Sequence, residues 1–476
     1  MKKLLACCAV WLIASPIAVW AAEAKRPNVL FIAVDDLNHW VGYLGRNPQT
    51  ITPNIDRLAA RGVRFTRSYC AAPVCNPSRT ALMSGLRPST TGVYENKDDW
   101  RTVVSPELPL TTTFRKAGYF VAGSGKIYHG AYPRRSEWDD YFKEAPDDPK
   151  PDGDKGVGGI RFGKLDCRDE EMRDWDIVQY GIDQLAKKHD KPFFLAVGLH
   201  KPHMGWFIPR KYYDMHPLDK IELPPTLDTD LADVPPAGVR MAKPDGDHKD
   251  ILESGRWKEA VQGYLAAVSF ADAMIGRLLD SFDKSEYRDN TIIVFWGDHG
   301  WHLGEKQHWR KFSLWEEATR APLIWVAPGV TKANTVSDRT VDFLSIYPTL
   351  TDLAGIPTPK HVEGKSIRPL LVDPKASWVD PAITTYQYGN HAVRTEGWRY
   401  IRYVNGDEEL YDESKDPYEW TNLATQPQFA AKKSELARLL PATNAPDISE
   451  KSRVAAKAKA QAKAARKSKR NEVGNE

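Results

Sequence analysis

Residues 28–34 (NVLFIAV) form an unbroken apolar run, and similar runs recur at 193–197 and 291–296. Runs of this length without polar alternation predict strands buried on both faces, as in a parallel sheet. Shorter strands are expected at 63–68 and 119–122. Between them the apolar residues return at helical spacing. Val178, Ile182 and Leu185 mark one face of a helix over 175–188, and Val261, Leu265, Val268, Ile275, Leu279 and Phe282 mark a longer one. Thr52-Pro53 opens a short helix that Gly62 closes, residues 110–117 form a helix ended by Gly118, and 343–354 one ended by Gly355. Strands alternating with helices predict an α/β fold. Two stretches, 139–169 and 209–250, are rich in Pro, Gly and Asp and read as irregular insertions. Residues 384–403 are strand-like again and carry Trp398, Tyr400 and Tyr403.

The polar residues that interrupt this pattern gather where strands end. Asp35-Asp36 follows the first run. Adjacent carboxylates there need either solvent or a cation, and in an open α/β sheet the strand C-termini carry the site. A solvated turn and a hard-cation site are both open readings. The strand at 119–122 feeds Gly123-Ser124-Gly125-Lys126-Ile127-Tyr128-His129, and 193–197 feeds His200-Lys201-Pro202-His203. Like charges in the latter cluster leave at least one imidazole neutral; a surface turn is the alternative for both segments. The strand at 291–296 ends in Gly297-Asp298-His299-Gly300. After the strand at 63–68 comes Cys75-Asn76-Pro77-Ser78-Arg79. Here Pro77 pre-sets a helix start, with Ser78 near the N-cap. The free N–H groups and partial positive charge of that start, with Arg79, favour an anion beside Cys75. A buried structural cysteine would look the same.

Composition narrows the class. The 476 residues are 42% hydrophobic and 27% charged, which suits a globular protein of one large and one smaller domain. Residues 1–22 have Lys2 and Lys3, an apolar stretch interrupted by Pro16, and small residues at the end, as in a secretory signal peptide. An exported, periplasmic or extracellular protein with no membrane span in the mature chain is expected. Three of the five cysteines follow that segment, too few for a disulfide scaffold. Cys70 and Cys167 could pair or stand as isolated thiols. Residues 451–476 carry nine basic and two acidic side chains in an Ala- and Lys-rich sequence, a detached basic tail. The basic, aromatic stretch 304–323 could suit nucleic acid, but export argues against that partner.

The block Cys75-x-Pro77-Ser78-Arg79, with Gly85 six residues after Arg79, resembles the signature of type I, formylglycine-dependent sulfatases, and matching blocks extend from Asn28 to about Ala424. The resemblance implies an alkaline phosphatase-like α/β sandwich with a large mixed, mostly parallel sheet and a small C-terminal α+β subdomain. It implies a signal peptide at 1–22, a catalytic domain at 26–375, the subdomain at 376–445 and the tail at 446–476. In that family a separate formylglycine-generating enzyme oxidises the cysteine, and the hydrated aldehyde attacks sulfur. Its second hydroxyl then lets the carbonyl re-form and expel sulfate. Carried over by motif, Asp35, Asp36, Asp298 and His299 hold one divalent metal, expected to be Ca²⁺. Cys75, Arg79, Lys126, His129, His203 and Lys311 form the catalytic set, with His203 protonating the leaving oxygen. Most sulfatases have Asn where His299 stands. The His, with Lys201-Pro202-His203, is similar to the iduronate-2-sulfatase-like branch, which points to sulfated carbohydrate as substrate. Trp100 and Arg101 could stack on and clamp a uronic acid, or be a buried Trp and a surface Arg. Three rivals compete: a phosphodiesterase or phosphonate hydrolase using the same formylglycine, a two-zinc phosphatase, and an inactive lectin-like binder of sulfated polysaccharide.

Overall fold

A computed structural model describes residues 26–449, apart from 131–133, 143–144 and 154. The segment read as a signal peptide, and residues 450–476 of the basic tail, lie outside the described residues.

Eight strands form one sheet: β1 (Asn28–Val34), β2 (Val63–Tyr69), β3 (Phe120–Gly125), β4 (Asp140–Tyr141), β5 (Phe193–Leu199), β6 (Thr291–Gly297), β7 (Leu323–Val326) and β8 (Thr335–Asp342). Their order across the sheet is β8-β2-β7-β6-β1-β5-β3-β4. Pairing is parallel except where β7 runs antiparallel to both β2 and β6. The predicted mixed, mostly parallel sheet is therefore present. In β1, Leu30, Ile32 and Val34 join one core, and Val29, Phe31 and Ala33 join the other. This two-sided burial is why the strand shows no polar alternation. One core packs α2 (Arg173–Ala186) and α3 (Trp257–Lys284) on the sheet; the other packs α1 (Cys75–Ser84) and α4 (Ile346–Leu353).

The carboxyl ends of β1 and β6 coincide, with Val34 paired to Gly297, so Asp35 and Asp298 emerge side by side. The segments after β3 and β5 leave from the same edge, since β5 pairs with both β1 and β3 in parallel. A second, antiparallel sheet follows: β9 (Ala382–Thr385), β10 (His391–Arg394), β11 (Trp398–Arg402) and β12 (Glu408–Asp412). The helix Ala430–Ala437 packs on one face of it. Residues 445 and 448 then hydrogen-bond back to Ser89 and Gly92, and Ile448 is buried in the core that packs α1 and α4 on the large sheet.

The insertions are less irregular than their composition suggests. Phe162–Leu165 pairs in parallel with Trp206–Pro209, and 209–250 holds the short helices Arg210–Asp214, Pro236–Ala242 and Lys249–Ser254. Cys70, Cys75 and Cys167 are all free thiols. No helix among the described residues is long and apolar enough to cross a membrane.

Candidate active site

Asp35 and Asp36 leave β1 through a turn in which Asp36 has a φ of 58°. Tyr264 of α3 holds that turn: its hydroxyl donates to the Asp36 carbonyl (2.9 Å) and accepts from the Asn38 N–H (2.9 Å). The Asp36 N–H donates to Asp298 Oδ1 at 2.9 Å, and the Asp298 N–H donates to the Val34 carbonyl at 3.1 Å. The β1 and β6 ends are thus stitched together at the level of the carboxylates.

The helix α1 begins at Cys75 itself, with Val74 as its N-cap and no side-chain cap. The expectation that Ser78 caps this helix is therefore corrected. Pro77 falls at the third helical position, and the Ser78 hydroxyl donates to the Asp298 carbonyl at 2.5 Å. Cys75 is also more enclosed than a surface pocket would leave it, at 1% exposed. Its sulfur lies 2.9 Å from Lys311 Nζ and 3.4 Å from His299 Nε2.

Arg79 is wholly buried. Its Nε donates to Asp298 Oδ2 (2.9 Å), its Nη2 reaches Asp35 Oδ1 (3.4 Å), and its Nη1 bonds the Lys126 carbonyl. Lys126 Nζ pairs with Asp35 Oδ2. Lys311 Nζ donates to Asp36 Oδ1 at 2.8 Å. Ligand atoms of Asp35, Asp36, Cys75, Asp298 and His299 all lie within 4.8 Å of one another. His203 Nε2 lies 3.9 Å from Asp36 Oδ2, with its side chain 42% exposed at the edge of the cluster. His129 lies beyond Lys126, lining with it and Tyr128 an adjoining cavity of about 160 Å³. All ten residues singled out by motif therefore sit at one end of the sheet, nine in contact with the cluster and His129 beside it.

Three carboxylates face three fixed cations here, and this balance decides protonation. Burial would raise Asp35, but Lys126, His203, Arg79 and Lys311 together hold it well below the usual carboxylate range. Burial likewise opposes ionisation of Asp36, and Lys311 and His203 overcome it. For His299 and His129 burial dominates and lowers both; His129 falls to about 4. His203 moves the same way, with desolvation first and Asp36 and Asp35 opposing it. The Cys75 thiol is pushed up to about 12 by burial, against the pull of Lys126 and Lys311. An unmodified Cys75 would therefore be a neutral thiol and a weak nucleophile at neutral pH.

The donor set suits a divalent cation. Three carboxylates converge with one neutral imidazole, and Asp36 Oδ2, though buried, has no hydrogen-bond partner. An oxygen-rich set with one nitrogen fits a hard ion.

Other expectations fare differently. Trp100 is 1% exposed and stacks on Tyr128 at 4.6 Å, and Arg101 is exposed and paired with Asp99 at 2.8 Å. The buried-Trp and surface-Arg reading is the right one. Lys201 turns away from the cluster to Asp148 (3.1 Å) and the Gly205 carbonyl (2.7 Å). In 304–323, Lys306 is buried against Asp230 and the Glu419 carbonyl, so it presents no basic surface. The sequence reading missed Tyr264, an apolar-looking position on α3 whose hydroxyl alone reveals its task. It also missed Asp174, which accepts the N–H groups of His200 (2.8 Å) and Lys201 (2.8 Å) and so fixes the approach to His203.

Comparison with known proteins agrees with this geometry. The Sulfatase family profile matches residues 27–356, and an N-sulphoglucosamine sulphohydrolase C-terminal profile matches 304–445. A sulfatase of Formosa agariphila is 40% identical over 452 residues, covering 89% of this chain and 88% of that protein. The iduronate 2-sulfatase of Homo sapiens is 29% identical over 385 residues, 70% of each. Among solved structures, BT4656 in complex with its substrate D-glucosamine-2-N,6-O-disulfate has a TM-score of 0.71 at 23% identity, covering 87% of this chain and 97% of that one. The phosphonate monoester hydrolase of Agrobacterium radiobacter has 0.72 at 22%, covering 87% and 94%. At such identity these structures speak for the fold alone. The first profile, however, spans every strand of the large sheet, and the Formosa relative matches nearly the whole chain; on both counts the chain belongs to the Sulfatase family and is a sulfuric ester hydrolase.

Proposed function

We propose that this sulfatase is exported and removes sulfate from carbohydrate, using a formylglycine made from Cys75 and one divalent cation, Ca²⁺. The observation that carries the chemistry is the convergence of Asp35, Asp36, Asp298 and His299 on Cys75, ringed by Arg79, Lys126 and Lys311. The carbohydrate assignment rests on the iduronate 2-sulfatase likeness and on Lys201-Pro202-His203 with Asp298-His299.

A sulfate monoester shields its sulfur with anionic oxygens, so any attack requires those oxygens to be neutralised. Lys311 and Lys126 supply fixed positive charge on two sides of Cys75. Arg79 is spent internally: it holds Asp298 and Asp35 in place and locks the Lys126 backbone. Asp35, Asp36, Asp298 and His299 would hold the cation, which when bound adds a Lewis acid at the sulfate oxygens. His129 is held neutral by burial, which lets it accept a proton or a hydrogen bond beside the nucleophile. His203, half-exposed at the edge of the cluster, is held neutral by desolvation; the negative charge of a bound sulfate ester would favour its protonated form, from which it hands a proton to the departing alcohol oxygen. Formylglycine at this position would supply a hydrated aldehyde, whose second hydroxyl allows sulfate to be expelled as the carbonyl re-forms, a step open to neither a thiol nor a simple alcohol.

Mass spectrometry of the Cys75 peptide, from protein made with a formylglycine-generating enzyme, tests the nucleophile. Desulfation assays test the substrate: sulfated oligosaccharides, p-nitrophenyl sulfate, a lipid sulfate and an aryl phosphodiester are compared. Sugar sulfates should lead the panel. A phosphodiester as best substrate would favour the hydrolase that shares this fold, and Cys75 unmodified with no turnover would favour the lectin-like reading.

A further inference from the structure

A cleft of about 570 Å³ opens between the Pro236–Ala242 helix, residues 308–312 and the loops of the C-terminal sheet; Phe312, one of its walls, has its ring 5.7 Å from Lys311 Nζ of the catalytic cluster. The cleft wall is continuous with the segment that carries Lys311. The two ring nitrogens of His308 lie 2.7 Å from the carbonyls of Ala242 and Lys311. The Phe312 N–H donates to the Pro73 carbonyl (3.2 Å), two residues before Cys75. Three cations line the cleft. Arg310 is committed to Asp247 (2.6 and 3.0 Å), and Gly159 covers that pair so closely that a Cβ there would collide with the guanidinium. Arg240 and Lys243 are exposed and have no ion-pair partner among the described residues. Across the cleft, Phe312 and Tyr386 present adjoining rings, with centroids 6.2 Å apart.

Two exposed cations without an ion pair, in a cleft also lined by a pair of aromatic rings, make a binding surface for a ring-shaped anion. Arg240 and Lys243 form no ion pair among the described residues, though Asp407 feels the charge of Arg240. We propose that this cleft is a second saccharide subsite, which holds a neighbouring sugar bearing a carboxylate or sulfate when the sulfated unit lies at Cys75. Arg240 and Lys243 bind the acid group, and Phe312 and Tyr386 face the ring. The inference rests on the carbohydrate reading above and deepens it: the preferred substrate is an anionic oligosaccharide, not a single sulfated sugar.

The test uses Arg240→Ala with Lys243→Asn, the latter because Asn tolerates the left-handed backbone there (φ 52°). In formylglycine-bearing enzyme, kcat/KM is measured for a sulfated disaccharide with an acidic second unit and for the matching sulfated monosaccharide. The ratio of the two should fall at least tenfold in the double variant; an unchanged ratio overturns the subsite. A second arm needs no turnover. Cys75→Ala protein is titrated by calorimetry with a carboxylated oligosaccharide (oligogalacturonate) and with a sulfated one (a heparin tetrasaccharide), with and without the cleft substitutions. At least one should bind, and at least tenfold more weakly once the cations are gone; the better of the two identifies the acid group. Absence of binding to the parent, or equal binding to both proteins, overturns the proposal. Binding without hydrolysis of any sugar sulfate would sink the carbohydrate-sulfatase reading and leave the subsite standing.

Discussion

Lys311→Met isolates the contribution of one fixed charge. Methionine keeps much of the apolar stem and removes the ammonium, which lies 2.8 Å from Asp36 Oδ1 and 2.9 Å from Cys75 Sγ in a position 4% exposed. Two effects follow. A preorganised charged donor aimed at developing negative charge in a dry site contributes about a hundred- to a thousandfold, or roughly 3–4 kcal/mol of transition-state stabilisation. Folding should suffer too: Asp36 loses its nearest cation, and breaking a buried pair costs roughly 3–5 kcal/mol because the remaining charge is stranded. The two losses respond differently to metal. A divalent ion stabilises whichever protein binds it, roughly 2.7 kcal/mol at a hundred times its Kd, and does so more in the variant, where Asp36 no longer carries the ammonium of Lys311, but it cannot replace that ammonium in catalysis. The assays are kcat/KM on the best sulfate ester and urea unfolding with EDTA or with excess Ca²⁺. The expected result is a kcat/KM at least a hundredfold down, with the stability gap narrower in Ca²⁺. A loss under tenfold would refute the electrostatic role of Lys311, and a stability gap indifferent to metal would refute the shared site.

Asp36→Asn should lower metal content after dialysis, with affinity at least about tenfold weaker, read by elemental analysis; full retention would remove Asp36 from the ligand set. His216 is 4% exposed, 3.0 Å from the Ser269 hydroxyl, and held down to about 4 by burial. A depressed histidine contributes stability that is intact above the unfolded value of about 6.5 and lost as pH falls towards the folded one, so His216→Gln should reduce the pH 7-to-5 loss of unfolding free energy by about 2 kcal/mol. An identical pH dependence in urea melts of the two proteins would discount this. Arg399→Met should cost roughly 3–5 kcal/mol, because Arg399 is fully buried against Glu316, Glu413 and Glu419; a change below about 1 kcal/mol in the melt would show the network to be slack.

Most of the large sheet was legible because its strands are buried on both faces. Runs such as 28–34 and 291–296 have nowhere to go but the middle of a sheet, and their ends deliver Asp35, Asp36, Asp298 and His299 together. Local motifs also placed Cys75, Arg79 and Lys126. What sequence could not supply was direction. Trp100 could have faced a sugar or the core, and only the fold shows that it stacks inward on Tyr128; Lys201 stands in the motif beside His203, yet it turns to Asp148. Pro77 suggested a later helix start, but tertiary contacts start the helix at Cys75 and turn the Ser78 hydroxyl to Asp298. The insertions were misjudged for a related reason. Their strands and helices are four to seven residues long and gain their stability from α3, from one another and, for Pro236–Ala242, from the C-terminal sheet, so composition alone reads as loop.

The C-terminal sheet has a bearing on chemistry even though it contributes none of the ten motif residues. The segment from 298 to 320 begins at the metal-binding pair, carries Lys311, and then buries Glu316 against the second sheet. There Arg394 and Arg399 of that sheet converge on Glu316, joined by Arg320 at 3.6 Å. Burial alone would keep Glu316 protonated, but these three guanidinium groups hold it ionised. Glu413 and Glu419 lie against the same arginines, though burial pushes both of their carboxyls up, and Tyr69 at the end of β2 adds a hydrogen bond to Glu316 at 2.9 Å. Four residues separate Glu316 from Lys311, and the residues on either side of Lys311, Arg310 and Phe312, both take left-handed backbone, which aims the ammonium at Cys75. A short, contorted segment can hold one side chain in a buried position only if both its ends are fixed. Asp298 fixes one end through Arg79; the arginines of the second sheet fix the other. Loosening the second sheet should therefore lower kcat before it unfolds the enzyme, and Arg399→Met is the substitution in which the two effects can be read from the same protein.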